Sequence, residues 1–186
     1  MRWPAGLFEE STLHVLFVCT GNICRSPTAE RLASAMADQL RIPDFEASSA
    51  GTRALVGHPI HEYAALVLEG LGGDVSGFVS RQLTPRIASS ADLVLAMTRE
   101  HRDAVLERAP KQLHRTFTVV EAARLASEFE ARDVAALAEL RSRLTTSESI
   151  DILDPMGREA EVFAEVGEQI AGLLPPIMEL CRRSVA

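Results

Sequence analysis

The sequence predicts an α/β protein with three layers, in which helices cover both faces of a four-stranded parallel sheet. Short apolar runs rich in β-forming residues predict strands near 13–19, 45–50, 92–97 and 116–120. Patterns with helical spacing near 60–71 and 99–109 separate the last three of these runs. Strands that alternate with helices favour a parallel sheet covered on both sides.

Length and composition suit one globular domain with a sizeable core, since the 186 residues are 47% hydrophobic and 24% charged. We predict a single domain over 1–186, with a loose N-terminal extension at 1–11 and a helical insertion at 121–149. The net charge of −7 disfavours a nucleic-acid partner, and no apolar run has the length of a membrane span. Three cysteines form no disulfide framework, so we expect a cytoplasmic protein. We also expect a monomer or weak dimer without a membrane partner.

The most informative segment is Cys19-Thr20-Gly21-Asn22-Ile23-Cys24-Arg25-Ser26-Pro27, which joins the first strand to an amphipathic helix. We expect Ser26 to cap this helix and Pro27 to occupy its first position. A helix N-terminus presents unpaired N–H groups and a partial positive charge, and a loop with converging N–H groups adds an anion site. Gly21 and Asn22 tolerate the positive φ that such a loop needs. With Arg25 as a two-pronged contact, the segment predicts a phosphate site.

The thiol of Cys19 lies at one end of this predicted phosphate site. Helix N-termini and cationic neighbours favour the thiolate form of a cysteine, so we expect Cys19 to attack phosphorus and form a phosphocysteine. A hydrogen bond from Ser26 would stabilise the sulfur as nucleophile and as leaving group. Cys19 and Cys24 lack the second ligand pair that a zinc site requires, so we expect no metal. The structural alternative is a cysteine in a glycine turn, with Arg25 on a solvated helix face.

The same segment resembles the phosphate-binding signature of the low-molecular-weight protein tyrosine phosphatase family. Residues 48–52 resemble the second-strand motif of that family, and residues 91–97 resemble its third strand. Asp154-Pro155 resembles the general-acid loop. The resemblance extends over roughly residues 12–120 and 150–182.

The resemblance implies a phosphomonoesterase that needs no cofactor and acts on a phosphorylated protein or a small phosphomonoester, with phosphotyrosine favoured. Cys19 would be the nucleophile, Arg25 the phosphate clamp and Asp154 the general acid. The phosphate-binding positions that it implies are Thr20, Gly21, Asn22, Ile23, Cys24 and Ser26. Among these, Asn22 would fix the loop, and Cys24 could pair with the nucleophile under oxidation.

Three positions depart from the family pattern. Met156 and Leu55 occupy segments in which the family often has aromatic residues, so we expect them to form an apolar pocket wall without a flat slot for a ring. Phe78 stands where the family has a histidine that would brace the loop around Asn22. We therefore expect a less selective phosphatase, and a slower one.

Several alternatives stay open at this point. Asp154-Pro155 could be a plain turn, and Asp151 competes for the acid role. Phosphoarginine phosphatases of the family tend to have Thr where Ile23 lies, and a branched Ile23 would crowd a guanidinium group. Thioredoxin-coupled arsenate reductase needs two further cysteines near 75–90, where this chain has none. A phosphate-binding module without turnover is the remaining class.

The rest of the chain has two further features. Residues 121–149 predict one or two amphipathic helices, either as a packed surface excursion or as a lid that narrows substrate choice. The last helix carries Pro175-Pro176, which predicts a kink or a break, and Cys181 lies on its apolar face as core filler. His101 is interpreted as part of a helix cap, and His58 and His61 are possible substrate contacts.

Overall fold

The computed structural model describes residues 12–145 and 151–185, and it contains one parallel sheet. The sheet has the order β2-β1-β3-β4. Its strands are β1 (Leu13–Cys19), β2 (Phe45–Gly51), β3 (Leu93–Ala96) and β4 (Thr116–Thr118). The predicted α/β fold is confirmed, and each strand lies within two residues of its expected bounds. The predicted extension at 1–11 and residues 146–150 of the predicted insertion lie outside the described residues.

Both helices that the periodicity predicts between the strands are present. They are α1 (Arg25–Leu40), α2 (Glu62–Gly70), α3 (Pro85–Ser89), α4 (Arg99–Arg108), α5 (Val119–Ser127), α6 (Val134–Leu140) and α7 (Ala160–Ser184). The short helix α3 was not predicted from the sequence. It begins where Thr84 accepts a hydrogen bond from the backbone N–H of Ile87 and Pro85 fills the first helical position.

The core has two parts, one on each face of the sheet, because successive side chains of a strand point to opposite faces. Phe17 and Leu95 lie on the face covered by α1, α5 and α7. Leu16 and Val94 lie on the other face, where α3 and α4 contribute apolar residues. The three layers follow from this alternation.

The described part of the predicted insertion contains two helices, α5 and α6, in agreement with the expected one or two. A capping box at Thr118 and Glu121 starts α5, and Leu125 is fully buried in the core shared with α7. None of the described residues 121–145 lines the cavities beside Cys19 that are described below. The lid interpretation therefore gains no support from this part of the chain.

The last helix, α7, runs without a break through Pro175 and Pro176, so the expected break is wrong. Each proline removes one backbone hydrogen bond. The flanking residues Leu174 and Ile177 are fully buried, and this burial offsets the loss. Cys181 is buried on the same face, as predicted. No helix within 12–145 or 151–185 is long and apolar enough to span a bilayer.

Candidate active site

The site forms where the carboxyl ends of neighbouring parallel strands meet. Cys19, the last residue of β1, lies beside Gly51 at the end of β2, and Val18 lies beside Ala96 of β3. The segments that follow these strands therefore surround the loop 20–24, as in other open α/β sheets. The loop leads directly into α1, which begins at Arg25.

The backbone of the loop is held from one side by the segment 52–61, whose N–H groups donate to loop carbonyl oxygens. Cys19 accepts from Thr52 at 2.9 Å, Thr20 from Arg53 at 3.0 Å, Gly21 from Leu55 at 3.0 Å and Ile23 from His61 at 2.8 Å. A trans peptide directs the next N–H opposite to its carbonyl group, and no described peptide is cis. The loop N–H groups therefore point away from this segment, as an anion site requires. Asn22 has the expected positive φ, at 57°.

Gly51 permits this close approach of β2 to the loop. A Cβ atom at this position would collide with the carbonyl oxygen of Thr20 and would press against Ala54. Gly51 also donates its N–H to the carbonyl oxygen of Arg81 and accepts from Leu83. Any side chain here would push the loop out of place.

A chain of hydrogen bonds leads from the thiol of Cys19 into the core. The Ser26 hydroxyl lies 2.9 Å from Cys19 Sγ, and Asn22 Nδ2 donates to Ser26 at 2.9 Å and to Ser49 at 2.8 Å. The N–H of Arg81 donates to Asn22 Oδ1 at 2.8 Å, which fixes the orientation of the amide. A thiolate at Cys19 can only accept, so the Ser26 hydroxyl, which accepts from Asn22, donates its own hydrogen to the ionised sulfur. The network thus presents a donor to Cys19.

One expectation about this network is wrong. Ser26 does not cap α1, because the helix begins at Arg25 with Cys24 as N-cap and no side-chain cap bond, and Pro27 is its third residue. The Ser26 side chain is directed to Cys19 instead. Phe78 supplies no hydrogen bond to Asn22, as expected, and the Asn22 amide has three other hydrogen-bond partners.

Phe78 and Ser49 take other partners. Phe78 is buried, and the guanidinium of Arg31 lies 5.6 Å from its ring centroid. The hydroxyl of Ser49 donates to Glu30 Oε2 at 2.5 Å. Burial raises the pKa of Glu30 above its ordinary value, and the bond from Ser49 opposes this.

Arg25 links the loop to the segment that carries the two candidate acids. Its Nη1 donates to the carbonyl oxygen of Ile152 at 2.8 Å, and its Nη2 lies 3.0 Å from Asp154 Oδ2. The Arg25 side chain is only 4% exposed, whereas that of Asp154 is 48% exposed. Asp151 instead accepts from the backbone N–H of Arg99 at 2.7 Å and pairs with its guanidinium at 3.3 Å. Asp154 is therefore the aspartate paired with the loop arginine.

A cavity of about 220 Å³ opens above the sulfur. It is lined by Cys19, Thr20, Gly21, Ile23, Cys24, Arg25, Arg53, Leu55, Asp154 and Met156. The structure thus brings together the predicted acid, clamp and thiol with both predicted wall residues. Asn22 and Ser26 were predicted to bind phosphate, but their fully buried side chains do not line the cavity and lie behind the loop.

The second loop cysteine, Cys24, donates its thiol hydrogen to Met156 Sδ at 3.3 Å. Burial raises the pKa of Cys24 to about 12, and the nearby Cys19 and Asp154 add to the effect. Cys24 is thus a neutral thiol at physiological pH. Within the described chain, no group of three or more His, Cys, Asp or Glu side chains could hold a metal ion.

Sequence reasoning missed the environment of His101. His101 is only 4% exposed, and its Nε2 lies 2.8 Å from Thr20 Oγ1. The cap of α4 is Thr98, which accepts from the backbone N–H of His101 at 3.2 Å. No local sequence signal indicates this contact, because it depends on the pairing of β3 with β1. Neither His58 nor His61 lines the cavity, and His61 instead caps α2.

Comparisons with known proteins agree with this geometry. The family model described as low molecular weight phosphotyrosine protein phosphatase matches residues 14–134. The low molecular weight protein-tyrosine-phosphatase Etp of Escherichia coli is 43% identical over 97 residues, which is 52% of this chain and 62% of Etp. The match thus spans less than two thirds of that relative. A protein-arginine-phosphatase of Geobacillus stearothermophilus is 30% identical over 165 residues, covering 89% of this chain and 93% of that protein.

Solved structures give the same result. A low molecular weight protein tyrosine phosphatase from T. tengcongensis has a TM-score of 0.71 and 33% identity, covering 90% of this chain and 99% of that one. A cysteine-to-serine mutant of YwlE arginine phosphatase, with a phosphorylated active-site serine, has a TM-score of 0.72 and 26% identity over 89% and 93% of the two chains. The predicted resemblance is confirmed, and the chain belongs to the low molecular weight phosphotyrosine protein phosphatase family.

Proposed function

We propose that this protein is a cysteine-dependent phosphomonoesterase that hydrolyses phosphotyrosine, or a similar aryl phosphate, in proteins. The observation that supports this most is the position of Cys19 at the floor of a cavity whose rim holds Arg25 paired with Asp154. A phosphoryl group would fit between the loop N–H groups and the guanidinium. A catalytic thiol needs a reducing compartment, so we place the activity in the cytoplasm.

The first step is attack of the Cys19 thiolate on phosphorus. The phosphoryl oxygens compete with Asp154 for Arg25 Nη2, which releases the carboxyl group from its ion pair. The released carboxylate, which is 48% exposed, takes up a proton from solvent. As the S–P bond forms and the ester P–O bond breaks, Asp154 gives this proton to the leaving oxygen. General acid catalysis of this kind contributes about 10²–10⁴-fold to the rate.

The second step is hydrolysis of the phosphocysteine. A water molecule attacks phosphorus and gives a proton to the Asp154 carboxylate, and the S–P bond breaks. The sulfur leaves as a thiolate, which accepts the hydrogen bond of Ser26. Inorganic phosphate then leaves, and the cysteine is regenerated without a cofactor.

Protein phosphoarginine is the second candidate substrate, because a protein-arginine-phosphatase is among the relatives that the chain matches. The chain covers 93% of the Geobacillus protein-arginine-phosphatase, and it also covers 99% of the T. tengcongensis tyrosine phosphatase, so both substrate classes occur among the matches of nearly full length. Against it stands Ile23, which lines the cavity as a branched apolar side chain and would crowd a guanidinium group. Leu55 and Met156 at the cavity wall provide apolar surface for an aryl ring.

Turnover of p-nitrophenyl phosphate, a phosphotyrosine peptide and a phosphoarginine peptide tests the proposal. We expect hydrolysis of the first two, loss of turnover in Cys19→Ser and normal turnover in Cys181→Ser, a matched change at a buried cysteine in α7. Faster hydrolysis of phosphoarginine would transfer the assignment to the second candidate. Absence of turnover with all three substrates would leave a phosphate-binding module.

A further inference from the structure

His101 is a buried polar residue beside the cavity for which the steps above have no use. It lies in the first turn of α4, and it lines a second cavity of about 490 Å³ that shares Thr20, Arg25 and Asp154 with the cavity above Cys19. A buried imidazole normally has hydrogen-bond partners for both ring nitrogens. Here Nδ1 lies 3.0 Å from Thr98 Oγ1, and Nε2 lies 2.8 Å from Thr20 Oγ1.

The imidazole is neutral at physiological pH. Burial lowers the pKa of His101 to about 4, and the positive charge of Arg25 contributes, while Asp154 and Asp151 oppose the shift. A neutral ring has one donor and one acceptor nitrogen, so two tautomers are possible. The Nε2 atom donates to Thr20 in one tautomer and accepts from it in the other. In both cases the bond to Thr20 is made.

Thr20 is the residue that directly follows the nucleophile. Its carbonyl oxygen accepts from the N–H of Arg53 at 3.0 Å, and its hydroxyl is held from the opposite element by His101. The N–H of Thr20 points opposite to the carbonyl group of Cys19, which is bound to Thr52. The orientation of that N–H thus depends on contacts with the segment after β2 and with α4.

We propose that His101 is a positioning residue for the phosphate loop. Its Nε2 atom holds the Thr20 hydroxyl, and so it fixes the first N–H donor after Cys19 at the phosphoryl group. This inference rests on the proposed phosphatase function. The side chain of His101 thus has two tasks: Nδ1 supports the start of α4 through Thr98, and Nε2 supports the loop through Thr20.

Two isosteric replacements separate these tasks. The amide nitrogen of a glutamine can occupy the place of Nε2, whereas that of an asparagine can occupy only the place of Nδ1. His101→Gln therefore keeps the contact with Thr20, and His101→Asn keeps the contact with Thr98 alone. A residue that only fills space or supports the helix would not distinguish them in this order.

The experiment uses four variants: His101→Gln, His101→Asn, Thr20→Val and the His101→Asn/Thr20→Val double variant. For each it measures kcat and KM for p-nitrophenyl phosphate, inhibition by inorganic phosphate, and unfolding in urea. We expect His101→Asn and Thr20→Val each to lose about fivefold in kcat/KM, since one neutral hydrogen bond is removed. Inhibition by phosphate should weaken by a similar factor. His101→Gln should stay within about twofold of the wild type, and the double variant should lose no more than either single variant.

Equal activity of His101→Asn and wild type overturns the inference, as do losses that multiply in the double variant. Equal losses in the Gln and Asn variants, with equally lowered unfolding midpoints, also overturn it, because they indicate a structural role only. If His101→Asn does not fold, the comparison of Thr20→Ser with Thr20→Val replaces it: the serine keeps the hydroxyl, so its loss in kcat/KM should be smaller than that of Thr20→Val, and equal losses overturn the inference. A wild type without turnover refutes the proposed function instead.

Discussion

The substitution Ser26→Ala tests the hydrogen-bond network behind the loop. Ser26 has one hydrogen, and a thiolate at Cys19 can only accept, so the hydroxyl that accepts from Asn22 donates to Cys19 Sγ, 2.9 Å away. A hydrogen bond to a charged group contributes about 1.5–3 kcal/mol, which corresponds to a loss of about 10- to 150-fold in the step where the thiolate leaves. Hydrolysis of the phosphocysteine should therefore become the slow step.

Stopped-flow measurement of p-nitrophenol release separates the two steps. We expect a burst close to one equivalent of enzyme, followed by a steady state reduced by the factor above. Ser34→Ala is the matched control, because the Ser34 hydroxyl only donates to the carbonyl oxygen of Glu30 within α1. If Ser26→Ala folds normally and its steady-state rate remains within twofold of wild type, the assigned direction of the Ser26 hydrogen is refuted.

Three other predictions concern the acid, the loop contact and the thiols. Asp154→Ala should reduce kcat/KM, which reports the step that breaks the ester bond, by about 10²–10³-fold for a phenyl phosphate but much less for p-nitrophenyl phosphate, whose leaving group needs no proton. Equal losses in kcat/KM would contradict the acid role. Gly51→Ala should lower the free energy of unfolding by about 2 kcal/mol or more in urea titration, because the added Cβ collides with a loop carbonyl group, and an unchanged midpoint would contradict this close approach. Iodoacetamide at pH 7 should label only one cysteine, Cys19. Burial raises the pKa values of Cys24 and Cys181 to about 12, so both thiols stay protonated at pH 7. Peptide mapping that finds label on Cys24 or Cys181 would contradict this.

The sequence carried enough information to predict the strand, the loop and the helix of the site. The periodicity around residues 19–27 defines a strand end and a helix start, and the positive φ of Asn22 follows from the residue type. The roles of Arg25 and Asp154 came from the resemblance rather than from spacing, since 129 positions separate the two residues in the printed sequence, and their ion pair was not predicted.

The wrong predictions share one physical cause, which is that tertiary contacts override local rules. Serine is a residue type that often caps helices, but the Ser26 hydroxyl is hydrogen-bonded to the sulfur of Cys19 and to the amide of Asn22. Pro175 breaks helices in isolation, yet the buried face of α7 keeps the helix whole. The contact between His101 and Thr20 depends on the pairing of β1 with β3, which local periodicity does not define.

In the proposed mechanism, the phosphoryl group is transferred to the sulfur of Cys19 before it is transferred to water. The most direct test is to mix the enzyme with p-nitrophenyl phosphate, quench in acid within the first turnover and locate the phosphoryl group by mass spectrometry of peptides. We predict a phosphoryl adduct on Cys19 that forms with the burst and disappears when substrate is exhausted. A burst without an adduct on this residue, or full turnover by Cys19→Ser, would contradict the account.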